Sequence, residues 1–305
     1  MAHALEGNTA SARQRRLTHG WLLLPAVSLC CAAKAVDSAD RSCPRWSAPV
    51  AAGTIGTGSL DEASGLAASA RDAGVLWTHN DDGDGVLFGL SSEGAVLGTL
   101  QLSGVDPVDW ESVATSTARG LPEIIVGDIG DNDALRESIA LWVTAEPETV
   151  SGALQSSLVE RVTVTLPDRP MDAEAMVVDP ATGRLLLFTR GSDRSLVYAV
   201  DWSGGGQTVA EQVTELDLNA PPFDSLGAIR AADVAPDGSV VLRLTRGAVW
   251  FPGSGSALDA LASAACPVPA PEEADGEGVA MAGTDLYFVG EGIEPTLWVV
   301  AGSRS

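Results

Sequence analysis

The chain has 305 residues, 45% of them apolar, and a formal net charge of -23. The apolar content rules out a largely disordered chain, and an acidic excess without a basic stripe rules out a nucleic-acid binder. Lys34 is the sole lysine and His3, His19 and His79 are the only histidines, so the body of the protein has no P-loop lysine, no Schiff-base lysine and no histidine-rich zinc site.

Arg13, Arg15 and Arg16 precede an apolar stretch from Trp21 to Ala33 that is too short to span a bilayer as a helix. A basic region followed by a short apolar one is the pattern of an export signal, here residues 1–35, with Ala33-Lys34-Ala35 as the small-residue cleavage site. Cys30 or Cys31 offers a second reading, a lipid anchor on a new N-terminal cysteine, although Leu29 stands where a lipobox has a small residue. Either reading predicts an exported protein, periplasmic, cell-surface or extracellular, with residues 36–47 as a linker and 48–305 as one domain. Removal of the leader leaves Cys43 and Cys266, which an oxidising compartment would join as a disulfide.

The body repeats. Glu62-Ala-Ser-Gly-Leu66, Asp109-Trp-Glu-Ser-Val113, Asp172-Ala-Glu-Ala-Met176, Arg230-Ala-Ala-Asp-Val234 and Asp275-Gly-Glu-Gly-Val279 begin 47, 63, 58 and 45 residues apart. These spacings suit one four-stranded propeller blade each. The first repeat predicts strands over Gly65–Ser69, Val75–His79, Val86–Leu90 and Val96–Leu102. The second predicts Glu111–Thr115, Glu123–Gly127, Ile139–Thr144 and Val159–Leu166. The third predicts Ala175–Val178, Leu185–Thr189, Leu196–Trp202 and Gln212–Leu218. Val150–Ser157 and Ala257–Ala265 read as short helical pieces. The last repeat has three strands, and Ala48–Thr57 supplies the fourth, which closes the ring and carries Cys43 towards the blade of Cys266. The predicted fold is all-β, a five-bladed β-propeller.

Strand residues two apart share a face. The repeats therefore give an outer row of Glu62, Asp109, Asp172, Arg230 and Asp275 and an inner row of Ser64, Glu111, Glu174, Ala232 and Glu277. The ends of the second strands add His79, Asn80, Asp81, Asp128, Asp131, Asn132, Arg190, Arg246 and Glu291 to the same opening. Three glutamates about one axis require a proton or a cation, and calcium accepts such an oxygen set, so Ser64, Glu111, Glu174 and Glu277 are the predicted metal ligands. The competing reading is a water-filled channel in which glutamates pair with arginines. The remaining residues of the opening are candidate ligand contacts. His79 could act as a general base or be a packed, hydrogen-bonded residue. Gly127-Asp-Ile-Gly-Asp-Asn132 could bind a ligand or close a turn. Asn80-Asp-Asp-Gly-Asp84-Gly85 opens like a calcium loop but has Ser91 where an EF-hand has Glu, so it reads as a turn. The recurring tryptophans, Trp46, Trp77, Trp110, Trp142, Trp202, Trp250 and Trp298, read as packing between blades.

The inner row, with its contexts Ser64-Gly65-Leu66, Glu111-Ser112 and Glu277-Gly278-Val279, resembles the central ring of the calcium-dependent apyrases, soluble calcium-activated nucleotidases. That ring reads Ser, Glu, Glu, Ser, Glu. The resemblance implies a secretory-pathway five-bladed propeller with central calcium, and Ala232 departs from it. No residues here match that family's substrate arginines or catalytic aspartate. The wider pattern EASGL, WTHND, DWES, GDIGDN, DAEA and EGVA is similar to exported bacterial propeller proteins, many of them lipoproteins. Three functions follow as expectations: a calcium-binding interaction module, a calcium-dependent phosphoester hydrolase with Arg190, Arg230 or Arg246 on the phosphate, and a glycosidase using carboxylates such as Asp128 and Glu174.

Overall fold

The computed structural model describes residues 43–303. The leader over 1–35, Cys30, Cys31 and most of the linker lie outside those residues. Short alternating segments separated by glycine-rich turns build five antiparallel sheets. The first is Ala63–Ala68, Val75–Asn80, Val86–Ser91 and Val96–Gln101. The second is Trp110–Ser116, Glu123–Asp128, Ile139–Ala145 and Glu160–Thr165. The third is Ala173–Val178, Leu185–Thr189, Arg194–Val200 and Glu211–Asp217. The fourth is Ile229–Val234, Val240–Leu244, Gly247–Phe251 and Cys266–Val268. The fifth takes Gly276–Ala282, Asp285–Gly290 and Thr296–Val300, and its outer strand is the N-terminal Val50–Thr54.

Each blade's first strand packs against the first strand of the next, and the fifth packs against the first. The ring is therefore closed, and the protein is a five-bladed β-propeller. The Cys43–Cys266 disulfide joins the N-terminal end to the fourth blade, with the Cα atoms 5.6 Å apart. Arg45–Trp46 pairs with Gly302–Ser303 beside it, and Trp46 meets Trp250 edge-on at 6.2 Å. No helix among the described residues is long and apolar enough to cross a membrane.

The core lies between blades. Trp77, Trp110 and Trp202 are wholly buried there, whereas Trp46, Trp142, Trp250 and Trp298 are half-buried. Side-chain bonds tie neighbouring first strands together. Met176 N–H donates to Ser112 Oγ at 3.1 Å, Met281 N–H to Asp233 Oδ2 at 2.6 Å, and Thr115 Oγ1 to the Ala68 carbonyl at 2.6 Å.

One predicted helical piece is a strand. Gly152–Gln155 runs parallel to Val96–Gln101 on the outer edge of the first blade. An open edge offers unpaired backbone groups that an extended segment satisfies, and Gly152, at φ 65°, interrupts any helix there. Gly206–Val209 covers the second blade in the same way. The other predicted piece is a helix over Ala257–Leu261, capped by Ser256 and held at its first turn by Asp179 Oδ1, which accepts from Ala257 N–H at 2.9 Å.

Candidate metal and ligand site at the acidic opening

Every first strand begins with a bulge, and the bulge aims one polar side chain down the axis. The register breaks fall between Ala63 and Leu66, Trp110 and Ser112, Ala173 and Ala175, Ile229 and Ala231, and Gly276 and Gly278. The extra residue is Ser64, Glu111, Glu174, Arg230 or Glu277. A bulge re-aims a side chain in this way while the rest of the strand keeps its pairing.

The fourth blade differs from the sequence expectation by two residues. Arg230, not Ala232, belongs to the inner ring. Backbone bonds place Ala228 in the outer row: Thr245 N–H donates to its carbonyl at 3.0 Å, as Asp81, Arg190 and Glu291 donate to Glu62, Asp172 and Asp275. Ala232 is buried one step below the ring. The shared pattern is a buried apolar or small residue, a polar one, then a small one. Ile229-Arg230-Ala231 fits it, and requiring an acid or arginine two places earlier hid the match.

Arg230 bridges two ring carboxylates. Its Nη1 lies 3.0 Å from Glu174 Oε2 and its Nη2 lies 3.0 Å from Glu277 Oε1. Glu174 is fully buried, and its Oε1 lies 2.8 Å from Arg190 Nη1, an ion pair too poorly aligned to be a hydrogen bond. Arg190 Nη1 also donates to Asn132 Oδ1 at 3.1 Å and lies 3.6 Å from Asp172 Oδ2.

The other side of the ring has no such cation. Glu111 Oε2 accepts from Ser64 Oγ at 3.3 Å, and the Asp109 carboxyl is its other hydrogen-bond neighbour. Gly130 makes room for that carboxyl, since a Cβ at 130 would overlap it. Among the described residues no ion pair reaches Glu111. Carboxylate oxygens of Glu111, Asp172 and Glu174 lie within 4.8 Å of one another. Burial pushes the Glu111 carboxyl up to about 9, helped by Glu174, Asp109, Asp172 and Glu277. Burial raises Glu277 to about 7 against the pull of Arg230, and raises Glu174 against Arg230 and Arg190. Asp109 is raised by burial and by Asp172.

A divalent ion fits this sector. Oxygen ligands about 2.3–2.6 Å from one calcium ion are separated by at most about 5 Å. The donors are all oxygens, and Asp109, Glu111, Asp172, Glu174 and Glu277 outnumber the guanidinium groups of Arg190 and Arg230. Asp172 joins Glu111 and Glu174 in this cluster although it belongs to the outer row. Ser64 and Glu277 flank it, and Glu277 is engaged by Arg230.

Several candidate contacts are structural. His79 is wholly buried behind the ring, edge-on to Trp110 at 5.5 Å, with Nδ1 bonded to the Asn80 carbonyl at 2.8 Å. Burial lowers its pKa to about 4, so it is a neutral packed residue and not a surface base. Its position is opposite the bulge of the first blade. The equivalent residue of the fourth blade is Arg243, which the sequence reading passed over. Arg243 is 3% exposed, donates from Nη1 to the carbonyls of Gly278 and Val289, and pairs with Glu273 at 2.6 Å. Gly276 leaves space for its guanidinium. A lone arginine inside Val240-Val-Leu-Arg-Leu244 was the available clue.

Asp128 is 1% exposed and engaged by Arg136 at 2.7 Å, with Trp142 Nε1 at 3.3 Å. Asp128 is therefore held in an ion pair and not free at the opening. Asp131 closes a turn by accepting from Leu135 and Arg136 N–H, although its own N–H donates to Asp172 Oδ1 at 2.8 Å. Asn80 likewise closes its loop through Ser59 and Glu62. Arg246 is held through Nε on the Ser225 carbonyl and pairs with no ring acid, so the basic sector is Arg190 and Arg230. Glu62, Asp81 and Asp82 form a second acidic group on the rim, where Asp81 and Asp82 raise the pKa of Glu62. Asp275 and Glu291 are exposed beside it, joined by a backbone bond of 2.9 Å.

The sheet order and the closed ring define the class, a five-bladed β-propeller with a polar axial ring. No protein-family profile matches the chain and no curated protein matches its sequence. Among solved structures, a luciferin-regenerating enzyme aligns at 11% identity with a TM-score of 0.48, covering 85% of this chain and 96% of that one. A protein provisionally called a gluconolactonase aligns at 12% identity with a TM-score of 0.42, covering 84% of this chain and 92% of that one.

Proposed function

We propose that this propeller is an exported calcium-binding protein that takes up a ligand at its acidic opening through the bound ion. The observation that carries the reading is the group of Glu111, Asp172 and Glu174 oxygens within 4.8 Å, with Glu111 buried and in no ion pair among the described residues. A cation there offsets the burial, and the repulsion from neighbouring carboxylates, that together favour a proton on Glu111. Ser64, Glu111, Asp172 and Glu174 would hold the ion, and Asp109 would add charge behind it. The bound ion would supply a positive centre for an anionic or polyhydroxylic ligand. Isothermal titration of calcium into the purified, chelator-treated protein tests this. Binding should be one-to-one and should weaken by two orders of magnitude or more in Glu111→Gln. No heat of binding, or unchanged affinity in that variant, would reject the site.

A second reading, a calcium-dependent phosphoester hydrolase, is favoured by Arg190. This guanidinium is 36% exposed at the edge of the carboxylate group, and its Nη1 contacts the carboxylates and Asn132. Its outer nitrogens suit a phosphate oxygen. Release of phosphate from nucleoside diphosphates or phytate, abolished by chelator and reduced about tenfold or more by Arg190→Ala, would support it. Calcium binding without turnover of either would leave the binding module.

A further inference from the structure

The far end of the axis carries a second concavity of different chemistry. The first strands run from the polar ring to this opening, about 13 Å away over four residues. Here they end on a bowl of about 430 Å³. All five blades contribute to it, through residues such as Ala68, Ser116, Val178, Asp233 and Met281. The wall is mostly alanine, valine, proline and methionine. It has no aromatic side chain and one ionisable group, Asp233. Three of its four hydroxyls, those of Ser69, Thr115 and Ser116 but not of Thr117, are engaged by the protein. Ser69 Oγ accepts from the N–H groups of Arg71 and Asp72, Thr115 Oγ1 donates to Ala68, and Ser116 Oγ accepts from Ala118 N–H.

Asp233 stands where the other first strands have Ala67, Ala114, Val177 and Ala280, all buried apolar residues. Its Oδ1 accepts from Val234 N–H at 2.8 Å and its Oδ2 from Met281 N–H at 2.6 Å. Burial raises the carboxyl to about 7 against these two bonds, so a cation beside it would favour the ionised form, whose about four acceptor sites exceed the two in use. The bowl has the size and the apolar wall of a small-molecule site, with one polar anchor. The chain's net charge of -23 attracts cations and repels anions.

We propose that this bowl binds a small apolar amine, its ammonium group donating to Asp233 and its hydrocarbon part lying on the alanine, valine and methionine wall. A primary or secondary ammonium suits the site better than a quaternary one. It brings N–H donors for the carboxylate, and the wall lacks the aromatic faces that hold quaternary ammonium.

The test is titration calorimetry of the whole protein with octylamine, trimethyloctylammonium, octanol and octanoate. Octylamine should bind one-to-one, roughly tenfold more tightly than octanol or the quaternary analogue, and octanoate should not bind. Asp233→Asn should bring octylamine down to the affinity of octanol and leave octanol unchanged. Because Asp233 also ties two blades together, a second variant is needed that leaves its carboxyl in place. Ala235 also lines the bowl, so Ala235→Arg places a cation near Asp233 and should weaken octylamine about tenfold while sparing octanol. Equal binding of octylamine and octanoate, unchanged octylamine binding in either variant, or no octylamine binding at all would overturn the proposal. Calcium affinity at the acidic opening plays no part in these outcomes.

Discussion

The two halves of the axial ring are built on the same bulge yet solve opposite electrostatic problems. On one side Arg230 lies between Glu174 and Glu277, so two buried carboxylates share one internal cation. On the other, Glu111 faces Ser64 and Asp109 and has no cation. The residues behind the ring follow the same division. Arg243 lies behind the neutralised half and uncharged His79 behind the other. The difference teaches that one half of a repeated ring can be closed by the chain itself while the other stays dependent on what binds, because a single substitution in the repeat replaces an acid with a base.

Removing Arg230 is the largest way to break this contrast. Arg230→Ala would leave Glu277 without its ion-pair partner and Glu174 with Arg190 alone, and breaking a buried pair costs on the order of 3–5 kcal/mol. Chemical denaturation should show that loss in calcium-free buffer, and millimolar calcium should recover part of it. No recovery would mean that the two halves cannot share a cation.

His79 should sharpen the contrast through pH. Its folded pKa of about 4 lies below its ordinary 6.5. The unfolded chain therefore binds the extra proton between these values. This group's contribution is fully present above pH 6.5 and is lost as pH falls to 4, up to about 3 kcal/mol. Stability curves of the wild type and His79→Leu should differ in slope across that window and run parallel above it. Glu111 acts in the opposite sense. Its folded pKa of about 9 exceeds its ordinary 4.5, so metal-free stability should fall as pH rises from 4.5 to 9, and calcium should flatten that fall.

Calcium should raise stability by about 2.7 kcal/mol at a hundredfold excess over Kd, read as a melting shift between chelator and calcium. The smallest effect expected is that of Glu277→Gln. Because Arg230 already holds Glu277, this change should alter calcium affinity far less than Glu111→Gln does. Equal losses in the two variants would dissolve the division of the ring.

Much of the architecture is local, and the sequence carries it. Alternating strands, turns and five spaced repeats state the blade count. The unpaired Ala48–Thr57 segment states how the ring closes, as Val50–Thr54 confirms in the fifth blade. Cys43 and Cys266 follow from the same closure. Alignment of the repeats also identifies Ser64, Glu111, Glu174 and Glu277 as one row, because each occupies the same place in its repeat.

Tertiary structure decided what alternation cannot express. A bulge shifts register by one residue, which strict alternation does not express, so the place of Arg230 in the ring was settled by the pairing of Ile229 and Ala231 with Leu244 and Arg243, although Ile229-Arg230-Ala231 fits the pattern of the other repeats. The depth of a side chain depends on what the neighbouring blade places over it. That is why His79 and Asp128, polar residues at strand ends, are buried and held, while Asp172 of the outer row joins the oxygen cluster. The bowl around Asp233 has no sequence pattern at all. Its wall is assembled from the ends of five strands that meet only when the ring is closed. Sequence determines which strand face is polar through a two-residue period, whereas the charge that a buried carboxylate carries is fixed by contacts across blades, which only the closed fold supplies.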